Sequence, residues 1–121
     1  MKRMLSRLVV LLAAGIVLAG AAFGELPVKK FATKDGKRPK GLFAPGVMVG
    51  KTVYVSGKGD YRPGEEFPEK VRNCLNECRK TLQVFGLDLE NVVTANCYLE
   101  DWENYKLFNE IYGEFFPKDP P

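Results

Sequence analysis

The sequence predicts an α+β domain in which one sheet is covered on a single face by two helices. Three observations carry this. Two short β-rich runs flank Gly50-Lys51, an apolar stripe of helical period crosses residues 69–85, and a third β-rich run feeds directly into a second apolar helix.

The third run organises the chain, reading NVVTANCYLEDWENYKLFNEIYGEFFP from Asn91 to Pro117. Val93, Ala95, Cys97 and Leu99 alternate with Val92, Thr94, Asn96 and Tyr98, the period of two that marks a strand. Asp101 is placed to N-cap the helix that follows, and Glu103 suits the positive end of its dipole. Tyr105, Phe108, Tyr112 and Phe115 recur at helical spacing until Pro117 stops the run. Tyr98 and Trp102 read as core and interface aromatics. Asp101 and Glu103, already explained as a cap and a first-turn acid, are poor candidates for a catalytic carboxylate pair.

The earlier elements follow in order. Residues 28–33 (VKKFAT) suit a first strand, with Asp35-Gly36 turning after it. Residues 47–49 and 52–56 form a hairpin about Gly50-Lys51. Ser56-Gly57-Lys58-Gly59 closes it, its glycines allowing positive φ or close backbone approach; as a phosphate loop it lacks the required spacing. A Pro/Gly loop spans residues 61–68. The helix over residues 69–85 carries Val71, Leu75, Cys78, Leu82 and Phe85 on its apolar stripe. Gly86 is the expected C′ residue, with Leu87 as its hydrophobic contact.

A chain of 121 residues, 45% apolar and 27% charged, bounds this to one small domain. Residues 1–24 differ in kind: Lys2, Arg3 and Arg7 precede an apolar run from Leu8 to Ala19, then small residues end in Ala22-Phe23-Gly24. That is the layout of a cleaved signal peptide, and the run is short for a membrane anchor, the alternative. A periplasmic or extracellular protein is the expectation. The full chain is +3, with 18 Lys and Arg against 15 Asp and Glu; residues 25–121 carry 15 of each. A neutral domain gives no electrostatic reason to bind nucleic acid, and after cleavage none to hold a membrane. One basic cluster stands out, Lys29, Lys30, Lys34, Lys37, Arg38 and Lys40, either a solvated strand edge or a polyanion site.

The cysteines are Cys74, Cys78 and Cys97. The first two share a helix face one turn apart, where a bridge would be strained, so all three read as small hydrophobes. There is no histidine, which excludes Ser-His-Asp and Cys-His catalysis and His-bearing zinc sites.

At two places the sequence resembles the RidA/YjgF family, imine and enamine deaminases also described as L-PSP endoribonucleases. VVTANCYLEDWENYKLFNEIYGEFFP is similar to the family's V-V-K-x-x-V-Y-L-x-D strand and its following helix. GLFAPGVMVGKTVYVSGKG matches the spacing of G-P-Y-x-Q-x-x-x-x-G-x-x-x-x-x-S-G-Q. The resemblance implies a chorismate-mutase-like fold with a mixed sheet and a homotrimer with clefts between subunits. Its implied activity is hydrolysis of 2-imino or enamino acids to 2-keto acids and ammonia, with no cofactor and no metal. The family's P-A-R tripeptide and last two strands would follow Pro121, so its carboxylate-clamping Arg and water-orienting Glu are expected to be missing from residues 25–121, and the activity is expected of a chain that carries them.

Carried over by motif, the family's serine and asparagine are Ser56 and Asn109, the implied catalytic residues. Phe43 stands at the tyrosine position without the hydroxyl, Pro45 stands at the glutamine position, and Gly57 adjoins the serine; Phe43 and Gly57 are the implied substrate contacts. Each has a plainer reading: Ser56 as a turn former, Asn109 as an exposed helix residue, Phe43 as a packing ring. A non-catalytic small-ligand or protein-binding trimer with an altered pocket is the rival function, supported by Phe43 and Pro45. An endoribonuclease comes third.

Overall fold

A computed structural model describes residues 28–121; the leader expected at residues 1–24 lies outside the described residues. Three strands, β1 (Lys29–Phe31), β2 (Gly46–Val49) and β3 (Thr52–Val55), form an antiparallel sheet in the order β1-β2-β3. Two helices follow, α1 (Phe67–Gln83) and α2 (Tyr105–Phe115), with short 3₁₀ turns at Leu89–Asn91 and Trp102–Asn104. The α+β class read from the sequence holds, with both helices over one side of the sheet.

The β2–β3 hairpin forms where the sequence puts it. Val49 pairs with Thr52 across Gly50-Lys51, and Gly50 sits at φ 60° while Lys51 does not have a positive φ. This is the pattern of a type II′ turn, which needs glycine first. The register puts Gly46, Met48, Val53 and Val55 on one face, and Val47, Val49, Thr52 and Tyr54 on the other. The first face receives the helices. Gly46 makes that possible: a Cβ there would lie 2.7 Å from Thr81 Cγ2 of α1 and 3.1 Å from the Tyr54 carbonyl.

Helix α1 starts with Pro68 in its first turn, where a missing N–H costs nothing. Val71 and Leu82 are buried and Leu75 and Cys78 half-buried, as the stripe predicts. Its end is a Schellman motif. Gly86 has φ 74°, its N–H donates to Gln83 (3.0 Å), and the Leu87 N–H donates to Leu82 (3.2 Å). Arg79 then holds Asp88 through two bonds of 2.7 and 2.9 Å, and Asp88 caps the Leu89 turn. The apolar cluster sits here: Leu82, Leu89 and Phe116 at its centre, with Val53, Val55, Val92 and Tyr112 packed against them.

Asp101 caps as expected, accepting from the Glu103 N–H at 2.9 Å, although the first turn is 3₁₀ and α2 proper starts at Tyr105. The ridge read in the sequence holds in part: Phe108, Tyr112 and Phe115 are half-buried, and Tyr112 and Phe115 pack against the central cluster. Ile111, 1% exposed, and Phe116 lie inside, whereas Tyr105 is 44% exposed and stacks on Trp102 with ring centroids 4.4 Å apart. The aromatic spacing drew attention to large rings, while the side facing α1 centres on the aliphatic residue between them. Arg72 of α1 reaches both Glu114 oxygens of α2, at 3.0 and 3.2 Å.

Residues 92–99 depart from expectation. They form no strand ladder with any described residue, so the described sheet is wholly antiparallel rather than mixed. Alternation predicts extended backbone, and Val92 is extended, but a strand also needs a neighbour to take its N–H and C=O groups. Tyr98 is 92% exposed and Trp102 75%, so neither is a core aromatic. Cys97 is exposed, not a small core hydrophobe; Cys74 and Cys78 are half-buried on α1, and all three thiols are free. No helix among the described residues is long and apolar enough to cross a membrane.

Candidate functional site

Ser56 stands one residue past β3. Its N–H donates to the Pro45 carbonyl at 3.0 Å and its hydroxyl donates to the Ala44 carbonyl at 2.5 Å, while Lys58 Nζ reaches the same Pro45 carbonyl at 3.3 Å. These bonds clasp the strand end to the Leu42–Pro45 segment and bring Ser56, Gly57 and Phe43 into one neighbourhood. The Ser56 proton is taken by Ala44, so toward a ligand its oxygen offers lone pairs only. Phe43 is 85% exposed, a ring held out rather than packed in, against the plain packing reading.

Gly57 does not have positive φ, and a Cβ there would meet nothing within 4 Å; the position is open space beside the Ser56 clasp. At Gly59 close approach is real, since a Cβ would lie 2.8 Å from the Tyr61 ring. Asn109 is exposed on α2 and its side chain makes no hydrogen bond with any described residue, so nothing here joins it to the Ser56 clasp. A cleft of about 260 Å³ opens beside Phe43, between the helix-free face of β1–β2 and the segment that follows Pro39. Lys29, Phe31, Arg38, Leu42, Phe43 and Val47 line it.

Sequence reasoning passed over Asp60. Its side chain, 6% exposed, accepts from Arg62 Nε (2.9 Å) and from a second Arg62 nitrogen. It also accepts from the Arg62 N–H (3.1 Å) and from Asn73 Nδ2 of α1 (2.8 Å). The Arg62 guanidinium holds the Asp60 carboxyl well below the usual carboxylate range, and the Asp60 carboxylate pushes Arg62 up in turn. The only hint in the sequence was the Asp-x-Arg spacing in a Pro/Gly loop. A larger cleft, about 890 Å³, runs along this loop and α1, but its charges are already paired: Asp60 with Arg62, Glu77 with Lys80, Arg79 with Asp88. Because Asp60 is depressed in the fold, its contribution is complete above the ordinary carboxylate pKa and drains as pH falls through the folded value. A stability–pH curve should therefore steepen on the acid side, and Asp60→Asn should flatten it.

Burial raises the Cys74 and Cys78 thiols, so neither is a ready thiolate nucleophile near neutral pH. Among the described residues no group of three or more acidic, cysteine or histidine side chains is placed to hold a metal.

A hairpin-led sheet under two helices, with a polar strand end clasped to an aromatic-bearing loop, defines a small α+β domain with its candidate site at the sheet's end. A sequence profile of the family described as Endoribonuclease L-PSP matches residues 35–121. A RutC family protein of Saccharolobus solfataricus is 30% identical over 95 residues, covering 74% of this chain and 75% of the relative. The chain belongs to the Endoribonuclease L-PSP family, the RidA/YjgF proteins.

Proposed function

We propose that this is an exported imine and enamine deaminase, hydrolysing 2-imino and enamino acids to 2-keto acids and ammonia as a homotrimer. The observation that supports the reading is the clasp of Ser56 on Ala44, which ties the motif-matched Ser56 to the segment that carries the exposed Phe43 ring. Water adds to the C=N carbon, and the carbinolamine then loses ammonia to leave the keto acid. In this reading the Ser56 oxygen accepts a hydrogen bond from the imine N–H or the water, and Phe43 packs against the substrate's apolar part. Gly57 leaves room for it. Asn109, exposed on α2, completes a pocket between subunits.

The test is ammonia release from an enzymatically generated 2-imino acid. Ser56→Ala should lower kcat/KM by about 10- to 100-fold, the scale of one lost positioned hydrogen-bonding group. Export is checked by mass spectrometry of the secreted protein, which should begin at Glu25; an intact Met1 in a membrane fraction would establish the anchor instead.

A second reading is a non-catalytic trimer that binds a small ligand or a protein. Phe43 in place of a tyrosine supports it, since the ring has no hydroxyl to polarise anything. A well-formed trimer that binds imino or keto acids and releases no ammonia would decide for it. The endoribonuclease of the family's description stands third, disfavoured by the neutral charge of residues 25–121 and by the lack of histidine.

A further inference from the structure

We propose that Cys78 and Cys97 form a disulfide site, and that closing it fastens residues 92–99 onto α1. The inference goes beyond the deaminase reading and does not rest on it.

The fold brings the two residues to one place. Cys78 is half-buried on the stripe of α1 that also carries Leu75 and Leu82. Val92 packs on the cluster that includes Leu82, one turn from Cys78, so the segment leaves from the same stripe. Five residues of extended chain then reach at most about 17 Å, and Leu82 to Cys78 is a rise of only about 6 Å. Leu99 is half-buried at the far end of the segment, and by alternation Cys97 shares its face. The charge of a Cys97 thiolate is felt at the Cys78 thiol of α1 and at the Tyr112 hydroxyl of α2, an effect that fades beyond about 10 Å in salt.

The segment is also free to make the bond. Residues 92–99 share no ladder with any described residue, so Cys97 can close on Cys78 without breaking strand hydrogen bonds. Cys74 is the competing thiol, one turn earlier on α1, and it faces the cleft of the Asp60–Arg62 loop, whose lining does not include Cys78. A bridge between Cys74 and Cys78 would be strained along one helix face. Cys78 with Cys97 is the pairing left.

The oxidant is a small-molecule disulfide such as oxidised glutathione. Cys97, the exposed residue, enters first: its thiolate attacks one glutathione sulfur, the glutathione S–S bond breaks and a glutathione thiolate leaves. The Cys78 thiolate then attacks the Cys97 sulfur of the mixed disulfide and expels the bound glutathione as its thiolate. The two cysteines lose two electrons and two protons, and one glutathione disulfide becomes two thiols. Burial pushes both protein thiols up, so the exchange is slow near neutral pH and quickens as pH rises. Once made, the bridge has two poor leaving groups and resists reduction.

The experiment equilibrates the full chain with oxidised and reduced glutathione at about pH 8, traps free thiols by alkylation and maps the peptides by mass spectrometry. Cleavage after Glu77, Glu90 and Glu100 places the three cysteines on separate peptides. The Cys78 peptide should be found joined to the Cys97 peptide, at least about tenfold over the Cys74–Cys97 product, with Cys74 alkylated. In urea, where only loop length counts, those two products should come out nearly equal. Amides of residues 93–98 should exchange at least about tenfold more slowly in the bridged chain than in the reduced one. Cys78→Ala and Cys97→Ala should each abolish that difference, and Cys74→Ala should leave it. The proposal fails if Cys97 stays free or stops at the glutathione adduct, if it pairs with Cys74 or with a second chain, or if the native and urea mixtures are alike. A bridge that leaves exchange at residues 93–98 unchanged would reject the fastening.

Discussion

The hairpin of β2 and β3 and the segment from Val92 to Leu99 carry the same kind of sequence and meet different fates. Both alternate, both are rich in β-branched residues, and both reach the cluster of Leu82, Leu89 and Phe116, the hairpin with Val53 and Val55 and the segment with Val92. The hairpin's partner lies two residues away, across Gly50-Lys51, so its ladder closes at the cost of one short turn. Residues 92–99 have no such local partner and leave Val93 89% exposed. Alternation thus encodes an extended backbone with two faces; pairing is a separate property that depends on where a neighbour lies.

The largest expected contrast is in hydrogen exchange. Ladder amides of β2 and β3 should be protected at least about 1000-fold more than those of residues 93–98, which open without unfolding anything. Equal protection in solution would mean that the segment finds a partner there. Next comes the cluster the two regions share. Leu82→Ala should cost about 2–4 kcal/mol by urea unfolding and loosen both at once. A loss confined to one region would show that the cluster is divisible. Gly46→Val tests the hairpin side alone, because its side chain must displace Thr81 or the Tyr54 backbone; about 1–3 kcal/mol should be lost. Val93→Thr is the smallest, within about 0.5 kcal/mol, since the side chain is in water already. A larger loss would reveal burial of Val93 in an assembly.

What could be read in advance tracks this distinction. Gly50, Gly86 and Asp101 were legible because each acts within five residues of itself, through a turn, a Schellman end and a cap. The class of fold was legible for the same reason, as a sum of local periods. The centre of the α2 ridge was not, because which side of a helix lies deepest depends on where its neighbours pack, and Ile111 looks no different from Leu107 by spacing. At the candidate site, Ser56, Gly57 and Phe43 were found through a motif, and the clasp between Ser56 and Ala44 was invisible because it joins residues 12 apart by a side chain. The basic cluster was visible as composition, while the division between two cleft cations and four outside it required the register of β1 for Lys29 and Lys30 and the course of the following loop for the rest.

The Asp60 knot alters the connection between β3 and α1 as a polymer. Residues 56–66 would otherwise be one loop of 11 residues, free to wander between fixed ends. Tied to Asn73 at its middle, it behaves as two short tethers, 56–59 and 61–66, each with little slack. The closure entropy of the first is then spent in fixing the reach of Ser56 and Gly57, not that of the whole loop. Extra residues inserted between Gly57 and Asp60 should loosen the Ser56 clasp. The same insertion between Arg62 and Glu66 should pass without notice at that end of the sheet.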